Sequence, residues 1–504
     1  MSTRRFRGIG LLAAGAVGGV LISLGLTALA QRGEPLPLRE LQQFANVFSA
    51  IKNTYVEPQS DEELISNAIK GLFADLDPHS AYLDADAFKE MEAMTQGGFG
   101  GLGIEIGSED GMPKVISPIE ETPAARAGIL AGDIITHIDG KPTKDMSLND
   151  AIKLMRGEPK TSVNLRVSRT GRDKPLEFHL VRDLIKVRSV RSKMLENDVA
   201  YARIAQFQER TAADLLEQLA KVKKTGIPRA LILDLRNDPG GLLESAIGVS
   251  SAFLEPGELV VSTKGRIPSS NREYYVRKLS SVIGSRDEDS DILKRVEWLK
   301  KVPVVVLVNV GSASASEIVA GALQDHGRAT IMGNRTFGKG SVQSVVPLSD
   351  SSGLKLTTAL YYTPNGTSIQ VKGVEPDVVV DDTAAGNLFR LPREVDLKRH
   401  LLNSTVDEQG SEEPELADLP DDIKMFELGG EDDYQLQQAL NYLDGKPVQR
   451  FDPVLAAQMR ERAKEQADTA GASEGKQPKE AGKPDVKGEH FRITPEGLES
   501  VPAQ

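Results

Sequence analysis

Five successive apolar residues, Val304-Val305-Val306-Leu307-Val308, run through Asn309 and Gly311 into Ser312-Ala313-Ser314-Ala315-Ser316-Glu317. A short continuous apolar run bounded by turn residues reads as a buried strand. Ile318, Val319, Ala322 and Leu323 then recur at helical spacing, so three serines fall at a strand-to-helix junction. A second run, Ala230-Leu231-Ile232-Leu233, leads into Asp234-Leu235-Arg236-Asn237-Asp238-Pro239-Gly240-Gly241. From about residue 186 to 380 strands and helices alternate with motifs at their junctions, which predicts an α/β core.

The junction suits nucleophilic chemistry. The chain has no cysteine and six histidines, so few nucleophile–base pairs other than serine and lysine are open to it. A serine hydroxyl needs a base within hydrogen-bond reach. Thr336-Phe337-Gly338-Lys339-Gly340, with Gln343 behind it, offers a glycine-flanked lysine. Burial disfavours an ammonium and lowers its pKa, which lets lysine act as that base. A helix N-terminus carries unpaired N–H groups and partial positive charge, as an oxyanion requires. The Gly240-Gly241 turn offers a second source of open N–H groups. Residue types alone do not choose among Ser312, Ser314 and Ser316. Gly333 to Lys339 also fits a phosphate-loop pattern, but Gly340 stands where magnesium needs Ser or Thr, and a strand pattern follows where a helix is required. The nucleotide reading is rejected.

These segments resemble the C-terminal processing peptidases, also called tail-specific proteases. That family carries Ser-Ala-Ser-Glu-Ile and Thr-Phe-Gly-Lys-Gly-x-x-Gln, with 25 positions between nucleophile and lysine. Here 339 minus 314 meets that spacing. The resemblance implies Ser314 as nucleophile, Lys339 as general base and Gln343 as the residue orienting it. It implies N–H groups of Ala315 and of Gly240 or Gly241 as the oxyanion hole, with no metal or organic cofactor. It covers about Phe44 to Val380 and implies a crotonase/ClpP-like α/β catalytic core with an inserted PDZ domain.

The PDZ resemblance rests on residues 97–183. Gly101-Leu102-Gly103-Ile104 matches a carboxylate-binding loop, followed by short alternating strands, one helix near Leu148–Met155, and Gly132-Asp133-Ile134-Ile135. Backbone N–H groups of such a loop hold a peptide C-terminus while the peptide adds a strand to the sheet edge. Arg169, after the last strand of this segment, stands where relatives carry an arginine that links the PDZ and protease domains and gates the site.

Around these segments the chain divides further. Arg4, Arg5 and Arg7 precede an uncharged run from Ile9 to Ala30 that ends Ala28-Leu29-Ala30-Gln31. A basic start, an apolar stretch and an A-x-A end describe a signal peptide over residues 1–30. The same run is long enough to be an uncleaved membrane anchor. Either way the expected location is the periplasm, free or held at the outer side of the cytoplasmic membrane. Residues 38–96 read as helical, with Phe44, Val47, Phe48 and Ile51 on one face for core packing or a partner. His79 in Asp77-Pro78-His79-Ser80 reads as structural. The protease core is expected over 186–383, with a polar insert at 266–301 holding Trp298 as a cap or lid. Residues 384–465 form a C-terminal extension with a short helix near Tyr434–Leu443. Residues 466–504 carry almost no large apolar side chains and read as a disordered tail.

The net charge of −12 argues against nucleic-acid binding. The resemblance implies polypeptide substrates with free, unstructured C-termini, an adaptor lipoprotein as partner in some relatives, and a homo-oligomer. Two rival readings conflict with other features of the sequence. A binding or chaperone protein on a retired protease scaffold conflicts with the intact Ser314, Lys339 and Gln343. A crotonase-like acyl-CoA enzyme conflicts with the export signal and the PDZ segment.

Overall fold

The computed structural model describes residues 36–403, 426–458, 490–494 and 497–501, apart from positions 110, 120–121, 131, 145, 170–171, 173, 187, 223–225, 285–290, 349–351 and 388–391. The expected signal segment 1–30 and tail residues 466–489 lie outside them. Within the rest of the tail, His490–Thr494 and Gly497–Val501 pair as an antiparallel hairpin. No helix among the described residues is long and apolar enough to cross a membrane.

The chain divides into two compact units, Met1–Leu72 and Phe73–Gln504. The first carries helix Leu38–Thr54 and all but the last residue of helix Asp61–Phe73; neither helix buries a residue. On the face expected for core packing or a partner, Phe44, Val47 and Ile51 are exposed and Phe48 is half-buried, so no core packing covers it among the described residues of this unit.

The second unit is built on a six-stranded sheet, in the order Val190–Met194, Val199–Ile204, Ala230–Asp234, Val304–Val308, Thr330–Gly333 and Val378–Val379. The first pair is antiparallel and the others are parallel. Both apolar runs read from the sequence are central strands. They lack alternation because both faces are covered. Leu231, Leu233, Val304, Val306 and Val308 face a core that includes helices Thr211–Val222, Leu243–Ser251 and Ala315–Asp325. Ala230, Ile232, Val305 and Leu307 face another, closed by Leu436 and Ala439 of helix Tyr434–Leu443. A second sheet runs Ala81–Leu83, Gly353–Tyr362, Leu259–Lys264, Arg272–Tyr275, with Ser341–Pro347 also paired to Gly353–Tyr362.

The PDZ-like segment has its own sheet and core. Its strands run Ile104–Glu109, Met112–Pro118, Ile134–Ile138, Ser162–Ser168, Leu176–Val181. Val115, Ile135, Val163, Leu165 and Val167 pack with Ala151 and Met155 of helix Leu148–Met155. The chain enters and leaves through a two-stranded ribbon, Gly98–Gly101 against Asp183–Lys186.

The polar insert differs from its expectation as a lid. Arg272–Tyr275 is a strand, and Val296, Trp298 and Leu299 join the main hydrophobic core. Burying these large side chains outweighs the polar character of the surrounding sequence.

Candidate active site

Strand Val304–Val308 ends in a turn that delivers Ser314 to the start of helix Ala315–Asp325. Ser314 has φ 55° and ψ −111°. A non-glycine residue pays a strain cost there, and such strain collects at functional sites. The other two serines are fully buried and hold the turn together. Ser312 Oγ donates to Leu235 O at 2.8 Å and Ser316 Oγ to Asp238 O at 3.0 Å. Ala313 N–H also donates to Asp238 O, and Asn309 Nδ2 to Asn237 Oδ1. The serine turn and the Asp234–Gly241 loop are thus laced into one body.

Gly240 lies against the serine. A Cβ placed on it would sit 2.8 Å from Ala315 N, 2.8 Å from Ser314 Cβ and 2.6 Å from Ala313 O, at φ +92°. Only glycine permits this approach. Ala315 opens the helix, where its N–H has no intrahelical partner. The two glycines left open by the sequence now differ. Gly240 N–H donates to Asp238 Oδ1 at 2.8 Å. Gly241 N–H has no hydrogen-bond partner among the described residues. Burial pushes the Asp238 carboxyl up to about 8, against hydrogen bonds from Gly240 and Ser316.

Lys339 and Ser314 meet through a residue whose role the sequence did not reveal, Glu317. Its buried carboxylate accepts four hydrogen bonds. Oε2 takes Ser314 N–H at 2.8 Å and Lys339 N–H at 2.9 Å. Oε1 takes Gly338 N–H at 2.7 Å and the Thr336 hydroxyl. One oxygen therefore fixes the backbones of both expected catalytic residues. Burial pushes Glu317 up to about 7 despite these donors. The sequence signal was a capping box: Ser314 followed three positions later by Glu ahead of an apolar helix.

The Lys339 ammonium is lowered from 10.5 to about 8, first by burial and then by Lys355, against the pull of Glu394, Glu317 and Asp77. Its side chain keeps partial exposure. Gly340 brings the lysine loop onto Gln370: a Cβ there would lie 2.2 Å from Gln370 N.

Gln343 has no hydrogen bond to Lys339 among the described residues. Its Nε2 donates to Ser341 Oγ at 2.9 Å and Thr357 Oγ1 at 3.2 Å. Thr357 Oγ1 donates to Asp77 Oδ1 at 3.0 Å. Burial would raise Asp77, but hydrogen bonds from Ser80, His79 N–H and Thr357 hold it below the usual carboxylate value. His79 reaches the lysine loop by a second relay. Its Nε2 lies 2.8 Å from Glu394 Oε2; Gln370 Nε2 donates to Glu394 Oε1, and Gly340 N–H donates to Gln370 Oε1.

In the PDZ-like segment, Gly101 ends the entry strand and Gly103 has φ +74°. Leu102 O and Gly103 O accept from Ala124 N–H and Ile119 N–H. This turns the carbonyls into the domain, with Leu102 buried and Ile104 opening the next strand. Leu102 N–H and Gly103 N–H have no partner among the described residues. Arg169 stays within this segment. It grips Asp133 with two bonds of 2.7 Å and Gly128 O at 2.8 Å. That bidentate pair engages the guanidinium locally rather than across to the core.

The arrangement combines a strained serine, a lysine of lowered pKa and open N–H groups beside them. Comparison with known proteins places the chain in a family. Peptidase family S41 matches residues 198–380, a PDZ domain residues 114–169, and the activating protease CtpB N-terminal domain residues 27–87. A carboxy-terminal-processing protease of Bartonella bacilliformis is 43% identical over 441 residues, covering 85% of this chain and 95% of that protein. The carboxy-terminal processing protease CtpA of Bacillus subtilis is 35% identical over 332 residues, covering 66% and 67%. Among solved structures, a photosystem II D1 C-terminal processing protease is 30% identical, covers 67% of this chain and 92% of its own, and gives a TM-score of 0.39. The chain therefore belongs to peptidase family S41, among the serine-type carboxy-terminal processing proteases that carry a PDZ domain.

Proposed function

We propose that this protein is an exported endopeptidase with a Ser314–Lys339 dyad that cuts polypeptides after capturing their C-terminal tails. The observation that carries the reading is the Glu317 oxygen shared by Ser314 N–H and Lys339 N–H, with the Lys339 ammonium lowered by burial to about 8. Neutral Lys339 Nζ takes the proton from Ser314 Oγ as Oγ adds to the scissile carbonyl carbon. The oxyanion is received by Ala315 N–H and Gly241 N–H. The Lys339 ammonium then gives its proton to the departing amine. Water, deprotonated by the same lysine, hydrolyses the ester on Ser314. Gln343, through Thr357 and Asp77, braces the strand that follows the lysine.

The PDZ loop Gly101–Ile104 holds the substrate carboxylate on its open N–H groups, with Leu102 and Ile104 favouring an apolar last residue. The catalytic core is of the crotonase/ClpP-like kind. The substrates are periplasmic proteins, the enzyme works as a homo-oligomer, and an adaptor lipoprotein can present its substrates. The test compares wild type, Ser314→Ala and Lys339→Ala on a loosely folded protein with an apolar tail, free or with its carboxylate blocked. Cleavage by wild type alone, lost on blocking the tail, is expected. Cleavage by all three proteins would remove the dyad; equal cleavage of blocked and free tails would remove tail capture.

A further inference from the structure

We propose that Asp433 and Gln435, at the start of the C-terminal helix Tyr434–Leu443, are positioning residues for peptide cleavage, acting through Arg236 on the loop that carries Gly240 and Gly241. Arg236 heads the largest fully buried side chains among the described residues. All five of its guanidinium N–H groups find acceptors. Nε donates to Asp234 Oδ1 at 3.0 Å and Nη2 to Asp234 Oδ2 at 2.7 Å. The other three bonds come from 197 or more residues away: Nη1 to Asp433 Oδ1 at 2.8 Å, Nη2 to Asp433 Oδ2 at 2.6 Å, and Nη1 to Gln435 Oε1 at 3.0 Å.

These far partners are themselves fixed. Asp433 caps its helix by accepting Leu436 N–H and also accepts Gly429 N–H. Gln435 Nε2 donates to Val380 O at the last sheet strand. Leu436 and Ala439 seat the helix on the sheet face. The charges close on themselves: Arg203 and Arg236 face Asp234 and Asp433.

The loop beyond Arg236 has little freedom. Arg236 O accepts from Arg203, Leu235 O from Ser312 Oγ, and Asp238 O from Ala313 N–H and Ser316 Oγ. A displaced guanidinium therefore acts on the joined body of this loop and the serine turn, where Gly240 meets Ser314 and Ala315. Residues 433 and 435 lie beyond the region matched by the S41 family, which ends at 380. The C-terminal extension thus completes the oxyanion hole from behind.

The inference rests on the Ser314 reading, and the experiment separates the two. Peptide cleavage by wild type, Asp433→Asn, Asp433→Ala, Gln435→Met and Ser314→Ala is resolved into kcat and KM. Affinity for a tail peptide and thermal unfolding report the fold. Small displacements of catalytic groups cost up to about 100-fold in rate. The expected result is kcat down about 100-fold in Asp433→Ala and about 10-fold in Asp433→Asn and Gln435→Met, with KM and tail affinity within about twofold. Folded Asp433→Asn and Gln435→Met with wild-type kcat, beside an inactive Ser314→Ala, would overturn this inference alone. An active Ser314→Ala would overturn the dyad beneath it. Equal losses in Tm and kcat across the series, with activity restored on cooling, would reduce both residues to a structural role and overturn the proposal.

Discussion

Replacing Lys339 with methionine removes the charge and keeps most of the stem, so the variant measures what burial of that ammonium costs. The fall from 10.5 to about 8 corresponds to about 3 kcal/mol, at about 1.4 kcal/mol per pH unit. Water reaching the half-buried side chain reduces this to about 2 kcal/mol. Unfolded lysine keeps its proton to about 10.5, whereas the folded group loses it near 8. Between those values the unfolded state binds more protons, so wild-type stability rises with pH relative to the variant. Below pH 8 the folded protein carries the full cost. Lys339→Met is therefore expected to be more stable than wild type at pH 7 by about 2 kcal/mol, and by under about 1 kcal/mol at pH 10. Calorimetry at the two pH values, following the transition of the catalytic core, measures the difference. The wild-type rate should rise through an apparent pKa near 8. A variant no more stable than wild type at pH 7, or a gap that widens with pH, would refute the reasoning.

Two further substitutions probe the site. Glu317→Gln puts an amide donor where four donors already converge; a loss of about 2–4 kcal/mol in stability and at least about 10-fold in kcat is expected by denaturation and steady-state assay. Gly240→Ala sets a Cβ within 2.8 Å of Ala315 N at a φ that disfavours alanine. It should lower kcat by at least about 100-fold while the isotherm for a tail peptide is unchanged.

What was legible in the sequence was local. The valine run, the serine junction and the Gly101–Ile104 loop are patterns within a few residues, and the structure places each on the element its pattern predicts. Among the three serines the family spacing pointed to Ser314, whereas the reason Ser312 and Ser316 are engaged lies in a loop 77 and 78 residues away. The hold of Glu317 on Lys339 joins residues 22 apart, which no local pattern displays. His79 looked like an isolated turn residue because Glu394 lies 315 positions away. Trp298 sat in a charged stretch that resembled a lid, and only its burial in the core corrects that reading. Gln343 and Arg169 carry side chains long enough for several partners, and their spacing in sequence does not select Thr357 or Asp133.

The central claim is that Ser314 is the nucleophile and Lys339 its base. The most direct measurement is the intact mass and peptide map of the protein after reaction with a serine-reactive fluorophosphonate across pH 6–9. A single adduct on Ser314 is predicted, forming faster as pH rises toward about 8, slowed strongly in Lys339→Met and absent in Ser314→Ala. An adduct on another residue that tracks the loss of cleavage, or labelling of Ser314 unaffected by Lys339→Met, would contradict the account.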